Sequence, residues 1–512
     1  MRLIKKQTSS QIKVGSIIAY LNLFLHLIIS VFLTPFLIKN LGQSEYGVYK
    51  IIQSFSAQLG IMSFGISTLV ARNIVFFNEK KEQKEKENFL FFAHFLNIIL
   101  SLLVIVVGVG LFFSIDALYK KSLTADELVL GKKLFIVLVL NVAVTLGCET
   151  FTGLIRSKEK FIVANSLTLL RLGLRLALLF ILISLGLNSL AIVVTDLFIS
   201  LLILLISFIY SKVKIREKAK FHYVDKKMLK TTLLFSSAIF LQSIVAQVNN
   251  IVDNIILGSM KGAVVVSVYS VALSLYGIFA SLVDVFRGMF GPRATKLVAR
   301  NASADELTSF AIRPARIQTM IALLGEIGFV LLGKTFISAW LGPGFEDVYV
   351  ITLILIVPAF IPMIESISYE ILDAKMKRMG RSIILLCMCG INVGLTILFV
   401  NLFGYIGAAF GTAFSLIIGD WILTNIYIHK STGLKILTLI KGALSKTWIA
   451  AFMTLYLGFI IVNKIPLHGW PGFLLKTILI CIVYFVMLYF IGFNNEEKNY
   501  VNNILRKIFK KK

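Results

Sequence analysis

Long, uncharged and predominantly apolar blocks recur along this chain, among them Asn97–Phe113 and Leu197–Ile209. Blocks of about 17–25 residues are what a hydrocarbon layer roughly 30 Å thick demands of a helix. The composition agrees: 58% of the 512 residues are hydrophobic and only 15% are charged, with a mean hydropathy of +0.88. A soluble domain carries roughly 25% charged residues. So few polar side chains cannot coat a soluble core of this size. The chain reads as an all-α integral membrane protein.

Fourteen spans are predicted, at 13–38, 46–71, 88–113, 132–154, 161–185, 189–211, 229–257, 263–290, 309–333, 347–373, 380–402, 405–428, 446–463 and 471–492. With the N-terminus inside, the external loops hold eight of the 52 Lys and Arg: Lys39, Lys120, Lys121, Lys132, Lys133, Lys261, Lys334 and Lys464. The cytoplasmic segments hold most of the others. That asymmetry is the positive-inside pattern, and an even span count places both termini in the cytoplasm. The net charge of +26 is therefore largely topological, and nucleic acid is not an expected partner. Arg2, Lys5, Lys6 and Lys13 precede the first span as they would in a signal peptide. The span is too long for an h-region, however, and no small-residue cleavage site follows Leu37–Leu41, so it is expected to stay as a membrane helix.

Two pairs of segments recur at a near-constant offset. Leu41-Gly42 and Val48-Tyr49 match Leu257-Gly258 and Val268-Tyr269, and Gly186 with Ile209-Tyr210 matches Gly404 with Ile426-Tyr427. Six helices per repeat keep corresponding helices in the same direction, so the repeat is parallel. The expected organisation is a six-helix bundle over 1–211 and a basic cytoplasmic linker over 212–228. A second six-helix bundle then covers 229–430, with two further helices at 445–492 and a basic tail at 493–512. The linker carries Lys212, Lys214, Arg216, Lys218, Lys220, Lys226 and Lys227, a pattern that also suits anionic lipid headgroups.

Several patterns look chemical without carrying chemistry. Gly328 to Thr335 matches G-x-x-x-x-G-K-[ST], but that loop works after a strand, and here the intervening residues are apolar and lie at the end of a predicted helix. Asn301-Ala-Ser303 fits the glycosylation pattern on a segment placed inside. The five histidines are scattered, and Cys387 and Cys389 point to different faces of one helix. No metal site and no cofactor is predicted. No external loop exceeds roughly twenty residues, which argues against a membrane enzyme with an extramembrane catalytic loop.

The polar residues inside the spans point instead to transport. An ionisable group at the bilayer centre costs about 2.5–3.5 kcal/mol on insertion scales. Helix seven presents two adjacent polar stripes, Gln242, Asn249 and Asp253 beside Ser243, Gln247, Asn250 and Asn254. Helix one, its repeat counterpart, carries Asn22, His26 and Ser30 at four-residue steps. Such faces must look at protein or water. Arg171 and Arg175 share a face of helix five, and Arg287 closes helix eight with Asp284 three residues before it. Arg313 and Arg316 open helix nine and read as snorkelling anchors. Asp196, Glu326, Glu365, Glu370 and Asp420 are candidate partners for the arginines. Gly404, Gly407 and Gly411 supply the small-residue spacing that lets helix twelve pack closely.

Leu33-Thr-Pro35 leading into Leu41-Gly42-Gln-Ser-Glu45-Tyr46-Gly47-Val-Tyr49, then Phe64-Gly65 and Ala71-Arg72, resembles the N-terminal signature of the polysaccharide flippases. These are the Wzx-type O-antigen and capsule exporters of the multidrug/oligosaccharidyl-lipid/polysaccharide (MOP) superfamily. Asp253-Asn-Ile-Ile-Leu257-Gly258, Tyr269-Ser270-Val-Ala272 and Trp340-Leu341-Gly342 resemble the second-half pattern. The resemblance implies a V-shaped pair of bundles, as in the multidrug (MATE-like) members, around a cavity lined by helices one, two, seven and eight. It also implies a prokaryotic inner membrane and a substrate that is an oligosaccharide on a polyprenyl diphosphate. Membrane lipids and the polysaccharide polymerase machinery are the further partners it suggests. On this reading Arg171, Arg175 and Arg287 receive the diphosphate, and Asn22, His26, Asn249 and Asn250 bind sugar hydroxyls. Asp253 and Asp196 are the ion-coupling candidates. Lipid II flippases of the superfamily carry a distinctive arginine set near helices one, two and eight, and helix one here has none. The alternatives are a drug/cation antiporter or a lipid II-type flippase of the same superfamily, and a scaffold without transport of its own.

Overall fold

The computed structural model describes residues 2–63, 65–223, 252–467 and 469–509. Every regular element among these is helical. Eleven helical segments are long and apolar enough to cross a membrane. Two of them, Phe24–Lys80 with 57 residues and Arg378–Thr432 with 55, have about twice the length one crossing needs at roughly 1.5 Å per residue. Each turns back at a glycine, Gly42 at φ 78° and Gly404 at φ 67°. Counting both segments twice gives thirteen crossings. The remaining predicted span, 229–257, falls mostly on 224–251, outside the described residues.

The chain divides into two compact units, Met1–Ser270 and Val271–Lys512. The first holds α1 (Arg2–Gly60), α2 (Ile66–Lys80), α3 (Gln83–Tyr119), α4 (Ala125–Ser157), α5 (Phe161–Ser184) and α6 (Leu190–Tyr210). It also holds α7 (residues 252–261) and the first turns of α8 (Ala263–Ala299). Its core is built where α3 and α6 pack on α4 and where α1 packs on α4 and α5. The signature residues that betray the family resemblance hold this core together at its Gly42 end. Glu45 accepts the backbone N–H of Ser189 at 2.6 Å, at the start of α6. The Ser44 hydroxyl donates to Glu127, which forms a capping box with Thr124 at the start of α4. A Cβ at Gly47 would collide with the carbonyl of Ala263, so only glycine lets α1 and α8 approach this closely.

The turn between α7 and α8 corrects the pairing of repeats read from the sequence. The chain reverses at Gly262, at φ 88°. Gly258 lies within α7 and packs against Ile51 and Tyr119. The counterpart of Gly42 is therefore Gly262, at the same spacing that separates Val48-Tyr49 from Val268-Tyr269. Leu-Gly dipeptides aligned the sequence on a residue whose role is packing rather than turning.

The second unit continues α8 and adds α9 (Ala304–Leu341), α10 (Asp347–Ile364), α11 (Ser366–Ala374) and α12 (Arg378–Phe403). It is completed by α13 (Gly407–Leu416), α14 (Asn425–Thr432), α15 (Ile436–Leu444), α16 (Thr447–Lys464), α17 (Gly469–Met487) and α18 (Asn495–Phe509). The phosphate-loop match at 328–335 runs through the unbroken helix α9. Ser303 of the glycosylation pattern caps that helix by accepting from the N–H of Glu306. Of the stripe Gly404, Gly407 and Gly411, the last two meet α12 at Phe399 and Thr396 as small-residue spacing predicts, whereas Gly404 makes the turn and a Cβ there would meet nothing within 4 Å. Between α10 and α11 the helix breaks at Glu365, after Pro358 and Pro362. Pro362 has no N–H to give the carbonyl of Pro358, and the Trp421 indole N–H donates to that carbonyl instead, at 2.6 Å. Trp421 and Asp420 sit in a π-helical turn, Ile417–Thr424, a distortion frequent at functional sites.

Candidate functional site

In the first unit, the polar groups inside the spans gather where α1, α5 and α6 meet. The Arg175 guanidinium of α5 forms a forked pair with Asp196 of α6, at 2.8 and 3.1 Å. Two residues assigned to different tasks from the sequence are thus one ion pair. Tyr49 of α1 stands next to Arg175, and Lys50 follows it. The Lys50 ammonium donates to Gln53 at 3.2 Å and lies over the rings of Tyr46 and Tyr49, at 5.4 and 5.7 Å. No carboxylate pairs with it among the described residues. Lys50 is eight residues past Gly42, about 12 Å along the helix, and so lies well inside the span. Sequence reasoning passed over it, although a lysine within a predicted span was the available signal.

Arg171, one turn from Arg175, has Glu149 of α4 as its acidic neighbour. The two arginines therefore share a helix face, but only Arg175 forms an ion pair among the described residues. Asn22 is buried and its amide donates to the carbonyl of Asn165 at 2.8 Å. His26, four residues on, is exposed. The two do not form one polar patch.

Asp253 is also engaged within the first unit. The Tyr269 hydroxyl donates to it at 2.6 Å. Asn254 beside it donates to Ser54 at 3.3 Å and accepts from Ser270 at 3.2 Å. All five side chains are buried. They form a polar seam that fixes the end of α7 against α1 and α8. Gln242, Ser243, Gln247, Asn249 and Asn250 lie outside the described residues, as do the side chains of Asp284 and Arg287.

The second unit repeats the motif of the first. Arg381 of α12 pairs with Asp420 at 3.2 Å, and its guanidinium stacks 3.7 Å above the Tyr369 ring. In each unit an arginine of the first hairpin helix meets an aspartate of the second, beside a tyrosine. Glu365 differs. It is fully buried, and neither carboxylate oxygen makes a hydrogen bond among the described residues. Glu370 lies against the backbone of α8 at Gly291, and Glu326 leaves one buried oxygen unbonded.

Arg316 is not a snorkelling anchor. It is 5% exposed, and its guanidinium holds Glu497 through two hydrogen bonds of 2.8 and 2.9 Å. It also donates to the carbonyls of Gly442 and Gly492. It thereby ties α18 to α9, to α15 and to the π-helical turn Leu488–Gly492 that follows α17. Burial pushes the Glu497 carboxyl up, and the Arg316 hydrogen bonds and charge more than offset that, leaving it below its ordinary value. Arg313, three residues away, is exposed.

A family model described as "Polysaccharide biosynthesis protein" matches residues 13–289. The chain is 23% identical over 505 residues to the "Uncharacterized membrane protein EpsK" of Bacillus subtilis (strain 168), covering 94% of this chain and 96% of that one. Among solved structures, the lipid II flippase MurJ in an inward closed conformation has a TM-score of 0.70 at 17% identity, covering 93% of this chain and 97% of that one. An inward-facing multidrug resistance MATE family transporter of the MOP superfamily scores 0.55 at 17% identity, covering 79% and 99%. The eukaryotic MATE transporter AtDTX14 scores 0.57 at 12% identity, covering 86% and 98%.

Proposed function

Since the chain belongs to the polysaccharide biosynthesis protein family and has the fold of the MOP superfamily, we propose that it is a flippase for polyprenyl-diphosphate-linked oligosaccharide. It carries this lipid from the cytoplasmic to the outer leaflet of the cytoplasmic membrane, by alternating access, and supplies a surface polysaccharide polymerase. The N-terminus, the linker and the tail lie on the cytoplasmic side, as the charge distribution requires.

The observation that carries this reading is the cationic cluster of the first unit, with Lys50 free of any carboxylate partner among the described residues. An unpaired ammonium within a span is costly, and a diphosphate is the counter-charge that relieves it. Arg171 is proposed to extend the same field, and Arg287, whose side chain lies outside the described residues, stays a candidate from the sequence alone. Arg175, held by Asp196, positions Tyr49 by a hydrogen bond rather than meeting the substrate alone. Asn22, His26, Asn249 and Asn250 are the groups proposed for sugar hydroxyls.

A cation-coupled return of the empty carrier is compatible with this scheme. Asp196 and Asp253 already have strong partners, whereas the buried Glu365 carboxyl has only the Asn425 amide and the Asp420 carboxylate as polar neighbours and no cationic one among the described residues. Glu365 is therefore better placed to take the cation, and it is also the feature that an antiporter would use.

The test is flipping of a fluorescent polyprenyl-diphosphate sugar in proteoliposomes. Lys50→Glu and Arg171→Glu should each slow translocation at least tenfold while the protein remains monodisperse. Wild-type rates in both variants would overturn the diphosphate site. Export of cationic drugs that depends on Glu365, without sugar-lipid flipping, would replace the reading with an antiporter.

A further inference from the structure

The first unit also carries a groove outside the cationic cluster. This groove, of about 630 Å³, runs between α3, α4 and α6, lined by His94, Asn97, Gly147, Phe151, Leu204 and Phe208. That size falls within the range of small-ligand pockets, about 300–1,000 Å³. Ile98, Leu201 and Leu205 on its rim are largely exposed. Exposed apolar side chains on spanning helices face hydrocarbon, so the groove opens sideways into the bilayer.

The groove is not uniformly apolar. Asn97 is 2% exposed, and its amide donates to Gly147 and Thr150. Its Oδ1 accepts no hydrogen bond among the described residues. His94 lines the same wall, six residues or about 9 Å along α3 from Asn88, where the linker docks. At the mouth, Phe208 carries the Lys212 ammonium 5.9 Å above its ring. Lys212 is exposed and has no acidic partner among the described residues. The nearby acid of the linker, Glu217, is already taken by Lys86 and Lys158. From the mouth inward the order is a free cation, then hydrogen-bonding groups, then hydrocarbon-lined space. A phospholipid presents a phosphate, glycerol esters with their water, and an acyl chain in that same order.

We propose that this groove holds an anionic glycerophospholipid of the linker-side leaflet. Lys212 binds its phosphate, His94 and Asn97 meet the ester region and its water, and one acyl chain fills the groove. This lipid is a resident of the bilayer and not the transported cargo.

The purified full chain, in micelles offering equimolar phosphatidylglycerol and phosphatidylcholine, provides the test, with retained lipid counted by native mass spectrometry. The wild type should keep one phosphatidylglycerol, favoured about fivefold for one near-surface lysine charge. Lys212→Glu, on the surface, should erase that preference. A Cβ at Gly147, a residue that lines the groove, meets nothing within 4 Å, so Gly147→Leu should occupy groove volume and lose both lipids. Equal retention in wild type and Lys212→Glu would overturn the proposal even if Gly147→Leu fails to fold. Selective retention of undecaprenyl phosphate when all three lipids are offered would also overturn it, by assigning the groove to the cargo tail.

Discussion

Arg313 and Arg316 lie three residues apart, about 300° around one helix, and the fold uses them in different ways. One is exposed, and the other is a buried clamp on Glu497. The same lesson applies to Arg171 and Arg175, which share a face although only Arg175 forms an ion pair among the described residues, with Asp196 of α6. Sequence spacing says which residues share a face but not what lies opposite. For Arg175 the structure yields a thermodynamic prediction. Removing one member of a partly buried ion pair leaves the other without compensation. Thermal unfolding of Arg175→Gln, Asp196→Asn and the double variant should reveal a coupling of about 0.5–3 kcal/mol. Strict additivity of the two single losses would mean that the pair contributes nothing as a pair.

At the scale of elements, the linker is more ordered than its composition suggests. Seven basic residues mark it as a cytoplasmic linker, and its described part is docked on α3. Glu217 bridges Lys86 at 2.9 Å and Lys158 at 2.6 Å. The Asn88 side chain accepts from the backbone of His222 and donates to the carbonyl of Tyr223. Burial pushes the Glu217 carboxyl up, and the hydrogen bonds and charges of the two lysines more than offset it, leaving it below its unfolded value of 4.5. A depressed carboxyl stabilises the docked state fully above that unfolded value, and loses its contribution as pH falls through the folded one. Hydrogen exchange over 211–223 should thus stay slow from neutral pH to about 5, after correction for intrinsic rates, and quicken below 4.5. Glu217→Gln should exchange quickly across the whole range. Identical profiles for the two proteins would remove the bridge from the account.

For the whole molecule, the proposed cargo carries net negative charge outward. An inside-negative potential favours that movement by about 2.3 kcal/mol per charge per 100 mV. A diphosphate with two charges crossing the full field gains roughly 4.6 kcal/mol on that scale. Flipping in proteoliposomes should accelerate when a potassium gradient with valinomycin makes the cytoplasmic face negative, and slow when the gradient is reversed. A rate indifferent to potential but dependent on Glu365 and on a proton or sodium gradient would move the driving force to ion coupling.

The amino-acid sequence determined the class, the all-helical membrane fold and the family. These follow from signals that are local or summed: apolar block length, positive charge beside the spans, and a contiguous signature around Leu41–Tyr49. It also located the turn at Gly42 and the close packing at Gly407 and Gly411, because a helix leaves few other uses for glycines at those spacings. Only the tertiary structure decided that Arg175 meets Asp196 and Arg316 meets Glu497, that Lys50 lacks a carboxylate among the described residues, that Gly262 rather than Gly258 makes the turn, and that Glu365 is fully buried. Each depends on how neighbouring helices are rotated and in what register they pack. That rotation is set by many weak side-chain contacts between segments distant in the chain, and no periodicity within a single helix encodes it.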